Sequence, residues 1–164
     1  MFKELILLYN KTKVNDNLCL DWNLKNFIIY DNKIVYIDYV PALYKDKIEN
    51  IRHDRLEQYI QSYLDRQIQL AGIISYAIVP FFKEDKKELS KIFYSMITII
   101  KEILNIDLVD IANNDHVYLK KMEIINNYLN SEQEYDSFLE DYKSISMQKT
   151  AAKRNILIKK DGDN

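Results

Sequence analysis

Three side chains in the first quarter of the chain carry oxygen atoms that could hold a metal ion: Asp21, Asn26 and Asp38. Asp21 precedes Asn26 by five residues, and Asp38 follows Asn26 after two short apolar runs. Carboxylate and amide oxygens are the hard donors that Mg²⁺ binds in near-octahedral geometry. If the intervening chain folds back on itself, the three groups converge on one small volume. The residue types and their spacing therefore predict a magnesium site.

The two apolar runs that separate Asn26 from Asp38 predict the element that would bring them together. Residues 26–30 and 34–37 contain mainly β-branched and aromatic side chains, and Asp31-Asn32-Lys33 stands between them. Such runs around an Asp-Asn turn are typical of a β-hairpin. Because a hairpin returns the chain to where it started, we expect Asn26 and Asp38 at the same end of it.

The motif around these residues resembles part of a known family. Residues 21–26 (DWNLKN) have the D-x-x-x-x-N spacing of a kinase catalytic loop, and Asp38 falls where the metal-binding Asp follows the next hairpin. Over Leu18 to Val40 the chain resembles the aminoglycoside and choline phosphotransferase-like branch of the protein-kinase-like superfamily. That branch usually reads H-G-D-x-x-x-x-N and, later, I-D-F or I-D-Y. Cys19 and Leu20 stand here in place of its His and Gly.

The resemblance implies both a fold and an activity. The implied fold is α+β, mostly α: a kinase-like C-terminal lobe over residues 1–145, with one small hairpin that carries the site, followed by about six helices. Residues 146–164 are expected to form a basic segment and a frayed tail. The resemblance implies that Asp21 orients or deprotonates the acceptor hydroxyl. It implies that Asn26 and Asp38 bind Mg²⁺ and ATP or another nucleoside triphosphate. The γ-phosphoryl group would pass to a hydroxyl of a non-protein acceptor.

The glycine content bears on how such a site would be completed. Gly72 and Gly162 are the two glycines of the sequence. A kinase covers the phosphates with a G-x-G-x-x-G loop and supplies a Lys from a strand far upstream. With 20 residues before Asp21, we expect neither part here, and a P-loop is excluded as well. The expectation is a C-terminal lobe without its N-terminal lobe, completed by a partner chain or a second copy in a homodimer, or a truncated product.

Two other functions remain open for the same residues. The chain could be a non-catalytic remnant of the kinase fold that acts as a binding or regulatory module, which the missing His and missing lobe favour. It could also be a mostly helical partner-binding protein unrelated to kinases, in which the Asp and Asn residues only form turns. A titration with Mg²⁺ and ATP separates the first alternative from an enzyme.

Composition limits the classes of partner, cellular compartment and metal site that the sequence supports. The 164 residues are 48% hydrophobic and 29% charged with a net charge of −2, so a nucleic-acid or membrane partner is not indicated. The single cysteine, Cys19, excludes an internal disulfide and, with no signal peptide or membrane-spanning run, favours the cytoplasm. His53 and His116 lack partners at zinc-ligand spacing. Helix capping explains the acidic cluster of Asp107, Asp110 and Asp115 more simply than a metal does.

Apolar residues at helical spacing predict the other elements. Residues 67–79 are the most apolar stretch and are expected to form a buried central helix that Pro80 ends. Trp22 is expected either to pack under the loop or to line a substrate cleft. The remaining predicted helices cover residues 1–13, 54–64, 85–105, 108–112, 116–129 and 132–145, the last with Ser131 as its N-cap.

Overall fold

A computed structural model describes most of the chain. The described residues are 1–14, 18–20, 22, 24–31, 33–37, 43–44, 65–108 and 116–145. Several predictions fall outside them: the positions of Asp21 and Asp38, the helix over residues 54–64, most of the helix over residues 108–112, and the tail 146–164.

The described part of the chain is mostly helical with two small antiparallel strand pairs, which confirms the α+β, mostly α class. The elements, in chain order, are α1 (Phe2–Val14), β1 (Leu18–Cys19), β2 (Phe27–Tyr30), β3 (Lys33–Tyr36), β4 (Leu43–Tyr44), α2 (Arg66–Ala77), α3 (Lys86–Leu104), α4 (Val117–Leu129) and α5 (residues 135–145).

Strands β2 and β3 form the predicted hairpin. Tyr30 pairs with Lys33, so the connecting loop is residues 31–32 and Lys33 belongs to the strand rather than to the turn. Asp31 adopts a positive φ of 49°, a conformation that Asp tolerates better than most residues. Two-residue hairpin loops of the favoured types need such a conformation, which is why an Asp-Asn pair closes this hairpin without further residues.

Helix α2 is the buried helix that the apolar run predicts. Every residue from Ile68 to Ser75 is buried. Asp65 starts the helix, since its carboxylate accepts a hydrogen bond from the Ile68 N–H at 3.0 Å. The helix ends at Ala77, and Pro80 lies in a separate 3₁₀ turn, Val79–Phe81. Proline is tolerated in the first turn of a helix but disrupts the interior of one.

Helix α3 has the bounds that its amphipathic pattern predicts. Asp85 caps its first turn, and Asn105 ends it in a left-handed conformation with φ of 53°. Asn accepts that conformation at a helix end more readily than most residues do. The face that carries Leu89, Phe93 and Ile100 is buried, while the lysines of the opposite face are solvent-accessible.

The chain divides into two compact units, Met1–Asp110 and Ile111–Asn164. In the first unit, α1 and α2 both pack against α3, and α2 also packs against a 3₁₀ turn at Leu24–Asn26. In the second unit, Tyr128 of α4 stacks on Phe138 of α5 with ring centroids 4.2 Å apart. Each unit therefore has buried apolar packing of its own.

One predicted helix start differs from the structure. Helix α5 begins at residue 135, and the Ser131 hydroxyl accepts a hydrogen bond from the Gln133 N–H at 3.2 Å, so the prediction that Ser131 is the N-cap is wrong. The serine instead closes a local turn within the loop.

Among the described residues, no helix is long and apolar enough to cross a membrane.

Candidate functional site

Asn26 is the predicted site residue that the structure describes. It is the last residue of the 3₁₀ turn Leu24–Asn26, immediately before strand β2. Its side chain is buried at 7% exposure, which is unusual for an amide and means that the surrounding elements fix its position. Asp21 and Asp38 lie outside the described residues, so their convergence with Asn26 stays a prediction.

The hairpin register relates Asn26 to the chain that leads into Asp38. Phe27 pairs with Tyr36, and the Ile37 N–H donates a hydrogen bond to the Asn26 carbonyl oxygen at 2.8 Å. The antiparallel hydrogen bonding thus continues one step beyond the strands. Ile37, the residue directly before Asp38 in the sequence, therefore lies across from Asn26.

A second strand pair joins the residues before Asp21 to those after Asp38. Leu18 pairs with Tyr44 and Cys19 pairs with Leu43. The segments 20–25 and 38–42 therefore each connect this strand pair to the base of the hairpin. In the sequence, Asp21 belongs to the first of these segments and Asp38 to the second.

Trp22, next to Asp21 in the sequence, is packed in the interior at 8% exposure. Its ring lies edge-on to Tyr9 of α1, with centroids 4.8 Å apart, and stacks on Phe27 of β2 at 5.2 Å. Phe27 in turn contacts Tyr36 of β3 edge-to-face at 5.2 Å. The four rings form a continuous aromatic row from the first helix to both strands of the hairpin. Of the two expectations for Trp22, packing is the one that the structure shows.

A buried hydrogen bond joins this aromatic row to the central helix. The Tyr9 hydroxyl donates to the Gln69 side-chain carbonyl oxygen at 2.7 Å. Gln69 is itself buried on α2, the helix that packs against the 3₁₀ turn holding Asn26. The two residues are 60 positions apart, so no local pattern in the sequence predicts their pairing. The signal that could have found Gln69 is a long polar residue within the otherwise apolar run from Ile68 to Ile74.

The hairpin also exposes an aliphatic surface close to Asn26. Ile28 and Val35 are directly opposite each other, and Ile37 follows two residues after Val35, which puts it on the same face of its strand. All three are exposed, between 38% and 46%. Ile29, on the opposite face of β2, is more exposed still at 60%, so the hairpin exposes aliphatic side chains on both of its faces.

Of the other candidates, His116 and Asp107 are described, whereas His53, Asp110 and Asp115 lie outside the described residues. The described residues contain no group of three or more His, Cys, Asp or Glu side chains that could hold a metal ion. His116 is buried and caps α4, with its Nδ1 accepting from the Tyr118 N–H at 3.3 Å. Asp107 forms an exposed ion pair with Lys101 at 2.6 Å.

No protein-family model, curated protein or solved structure matches this chain. Of the three predicted site residues, the structure describes Asn26, at the base of the hairpin; in the sequence, Asp38 follows Ile37 of the other strand.

Proposed function

We propose that this chain is the catalytic lobe of a kinase-like phosphotransferase, which moves the γ-phosphoryl group of a nucleoside triphosphate to a hydroxyl of a non-protein acceptor. The observation that carries the proposal is the hydrogen bond from the Ile37 N–H to the Asn26 carbonyl oxygen. This bond holds Ile37, the residue before Asp38 in the sequence, beside Asn26. A metal site shared by Asn26 and Asp38 requires such a neighbourhood.

The donor chemistry of this site fits Mg²⁺. The Asn26 amide and the Asp38 carboxylate supply only oxygen ligands, and the buried position of Asn26 limits the rotamers that its amide can adopt. Asn26 and Asp38 would hold the ion. Bound there with a nucleotide, Mg²⁺ neutralises negative charge on the phosphoryl group that is transferred.

Asp21 has the second role in the proposal. It stands in the sequence between Leu20 and Trp22, which are both buried. A carboxylate held there would orient the acceptor hydroxyl or accept its proton, because phosphoryl transfer depends mainly on positioning and electrostatics.

The aliphatic surface of the hairpin supports a nucleotide as the ligand. Ile28, Val35 and Ile37 are exposed on one face, and Ile37 is bonded to Asn26 through its N–H. An apolar surface beside the proposed metal site would suit a planar base whose phosphates reach the metal.

The phosphate-covering groups of such an enzyme do not come from these 164 residues. The glycines Gly72 and Gly162 cannot form a G-x-G-x-x-G loop, and Gly72 lies within the buried helix α2. A partner chain or a second copy would supply the groups that close over the nucleotide. Light scattering with and without Mg²⁺ and ATP tests whether a second copy does so.

Calorimetric titration of the full chain with Mg²⁺ and ATP tests the proposed function. Asp38→Ala removes a carboxylate ligand, so we expect the wild type to bind Mg²⁺-ATP at millimolar concentration or below and the variant to show no detectable binding. Asp31→Asn is the matched control, since it removes the same negative charge from the exposed turn of the same hairpin and keeps a residue that accepts a positive φ.

The titration also separates the enzyme from its main alternative. Absence of binding by the wild type at millimolar nucleotide contradicts the phosphotransferase and favours a non-catalytic kinase-fold module that binds or regulates another protein. If the wild type and Asp38→Ala bind Mg²⁺-ATP equally, the assignment of Asp38 as a metal ligand is wrong.

A further inference from the structure

We propose that Tyr9, Trp22 and Gln69 are positioning residues for the metal site, a role that rests on the function proposed above. They lie on three different elements: helix α1, the loop between β1 and β2, and helix α2. All three are at least nine-tenths buried. None of them is expected to touch the metal, and each acts through the loop that carries Asp21 and Asn26.

The first support is the pair of ring contacts on the two sides of Trp22. Tyr9 meets the indole edge-on with an angle of 63° between the ring planes, and Phe27 stacks on it at 21°. Rings held on both sides cannot slide or rotate without losing one contact. Phe27, on which the indole stacks, directly follows Asn26, so the ring contacts hold the start of strand β2 next to this proposed ligand.

The second support is the hydrogen bond between Tyr9 and Gln69. Its oxygen-to-oxygen distance of 2.7 Å, with both groups buried, fixes the Tyr9 ring relative to α2. The same helix packs against the 3₁₀ turn that ends in Asn26. One hydrogen bond therefore joins the aromatic row, which reaches Phe27 next to Asn26, to the helix that packs against the turn holding Asn26.

This coupling matters because metal sites are sensitive to the groups behind their ligands. Substitution of residues that orient metal ligands typically weakens metal binding by about 10-fold to 100-fold. Tyr9→Phe keeps the ring and its contact with Trp22 but removes the hydroxyl. We therefore expect the divalent cation to bind about tenfold more weakly to the Tyr9→Phe variant.

The test is a titration of the full chain with Mn²⁺ alone, which prefers the same oxygen ligands as Mg²⁺. Calorimetry gives the dissociation constant, and fluorescence gives a local signal because Trp22 is the single tryptophan of the sequence. We expect Mn²⁺ to change the Trp22 emission in the wild type and to require about tenfold higher concentration in Tyr9→Phe. Circular dichroism and the midpoint of thermal unfolding verify that the variant is folded at the titration temperature.

Tyr128→Phe is the matched control, because it removes the hydroxyl of another buried tyrosine in the second compact unit. We expect its Mn²⁺ affinity to equal that of the wild type. Gln69→Met keeps the length of the side chain and removes the acceptor, so it repeats the test if Tyr9→Phe does not fold.

The outcomes distinguish this inference from the proposed function. Weaker Mn²⁺ binding in Tyr9→Phe or Gln69→Met, with Tyr128→Phe unchanged, supports the positioning role. Wild-type affinity in a folded Tyr9→Phe, with only a lower unfolding temperature, overturns it and leaves the metal site intact. A wild type that binds neither Mn²⁺ nor Mg²⁺-ATP overturns both proposals.

Discussion

At the scale of single residues, Trp22 contributes more to the stability of the hairpin base than its position in a loop indicates. It is buried, and its ring contacts helix α1 on one side and strand β2 on the other. Burial of a large aromatic side chain stabilises a fold in proportion to the apolar area removed from water. Trp22 therefore links helix α1 to strand β2 through its two ring contacts.

We predict that Trp22→Ala lowers the free energy of unfolding by about 3–5 kcal/mol, because it leaves a cavity between helix α1 and the hairpin. Urea unfolding followed by circular dichroism measures the loss. Tyr30→Ala is the control, since Tyr30 lies on the same hairpin but is 71% exposed, and surface substitutions usually change stability by about 0.5 kcal/mol or less. Equal losses in the two variants would contradict the packing role of Trp22.

At the scale of elements, capping residues determine where the helices begin. The Asp85 carboxylate accepts a hydrogen bond from the Glu88 N–H at 2.9 Å, and Asp65 accepts one from the Ile68 N–H at 3.0 Å. Each bond satisfies a backbone donor that has no partner inside the helix. The same chemistry is used at α3, which is amphipathic, and at α2, which is buried.

We predict that Asp85→Ala destabilises the protein by about 1 kcal/mol, the usual cost of losing an N-cap. The measurement is the midpoint of urea unfolding at constant slope. Glu102→Ala serves as the control, because Glu102 is exposed near the other end of the same helix and should change stability by about 0.5 kcal/mol or less. A cost for Asp85→Ala no larger than that of the control would show that the cap contributes little.

The packing of α4 against α5 predicts a pH dependence. Burial raises the pKa of Tyr128 above its ordinary value of 10.0, with smaller contributions from Tyr135 and Glu134. The folded state thus keeps the phenol proton at a pH where the unfolded chain releases it. The resulting stabilisation is fully present below pH of about 10 and is lost as pH rises above that value.

Tyr128→Phe should remove this part of the alkaline loss of stability. We expect the free energy of unfolding of the variant, relative to the wild type, to be constant up to pH of about 9 and to increase above pH of about 10. Urea unfolding at a series of pH values measures it, with Tyr94→Phe as the control because Tyr94 is a less buried tyrosine of the first compact unit. A relative stability that is the same at every pH would contradict the assignment.

Elements with a strong local pattern are the ones that the sequence predicts. Helix α3 has apolar residues at helical spacing between a capping Asp85 and a turn-forming Asn105, so its pattern and its end signals agree. The hairpin is predicted by its β-branched runs. The boundaries near Pro80 and Ser131 are less accurate, because a proline or serine marks a turn without fixing which residue begins the next helix.

At the scale of the whole molecule, contacts between distant residues escape local reasoning. The Tyr9–Gln69 hydrogen bond and the Tyr9–Trp22 contact depend on how α1, the loop and α2 pack together. The predicted metal ligands differ from these contacts in how they were found. Their types and spacing come from the sequence, and the structure adds the register that places Ile37 across from Asn26. Whether Asp21 and Asp38 share one ion with Asn26 stays a prediction.

The most direct measurement of that prediction is a crystal structure of the full chain with Mn²⁺ and an unreactive ATP analogue, using the anomalous signal of the metal. The account predicts one Mn²⁺ ion with the Asn26 amide oxygen and an Asp38 carboxylate oxygen at bonding distance, about 2 Å, and with Asp21 facing the terminal phosphate. Side chains of Asn26 and Asp38 that point apart, with no metal peak between them in a nucleotide-soaked crystal, would contradict it.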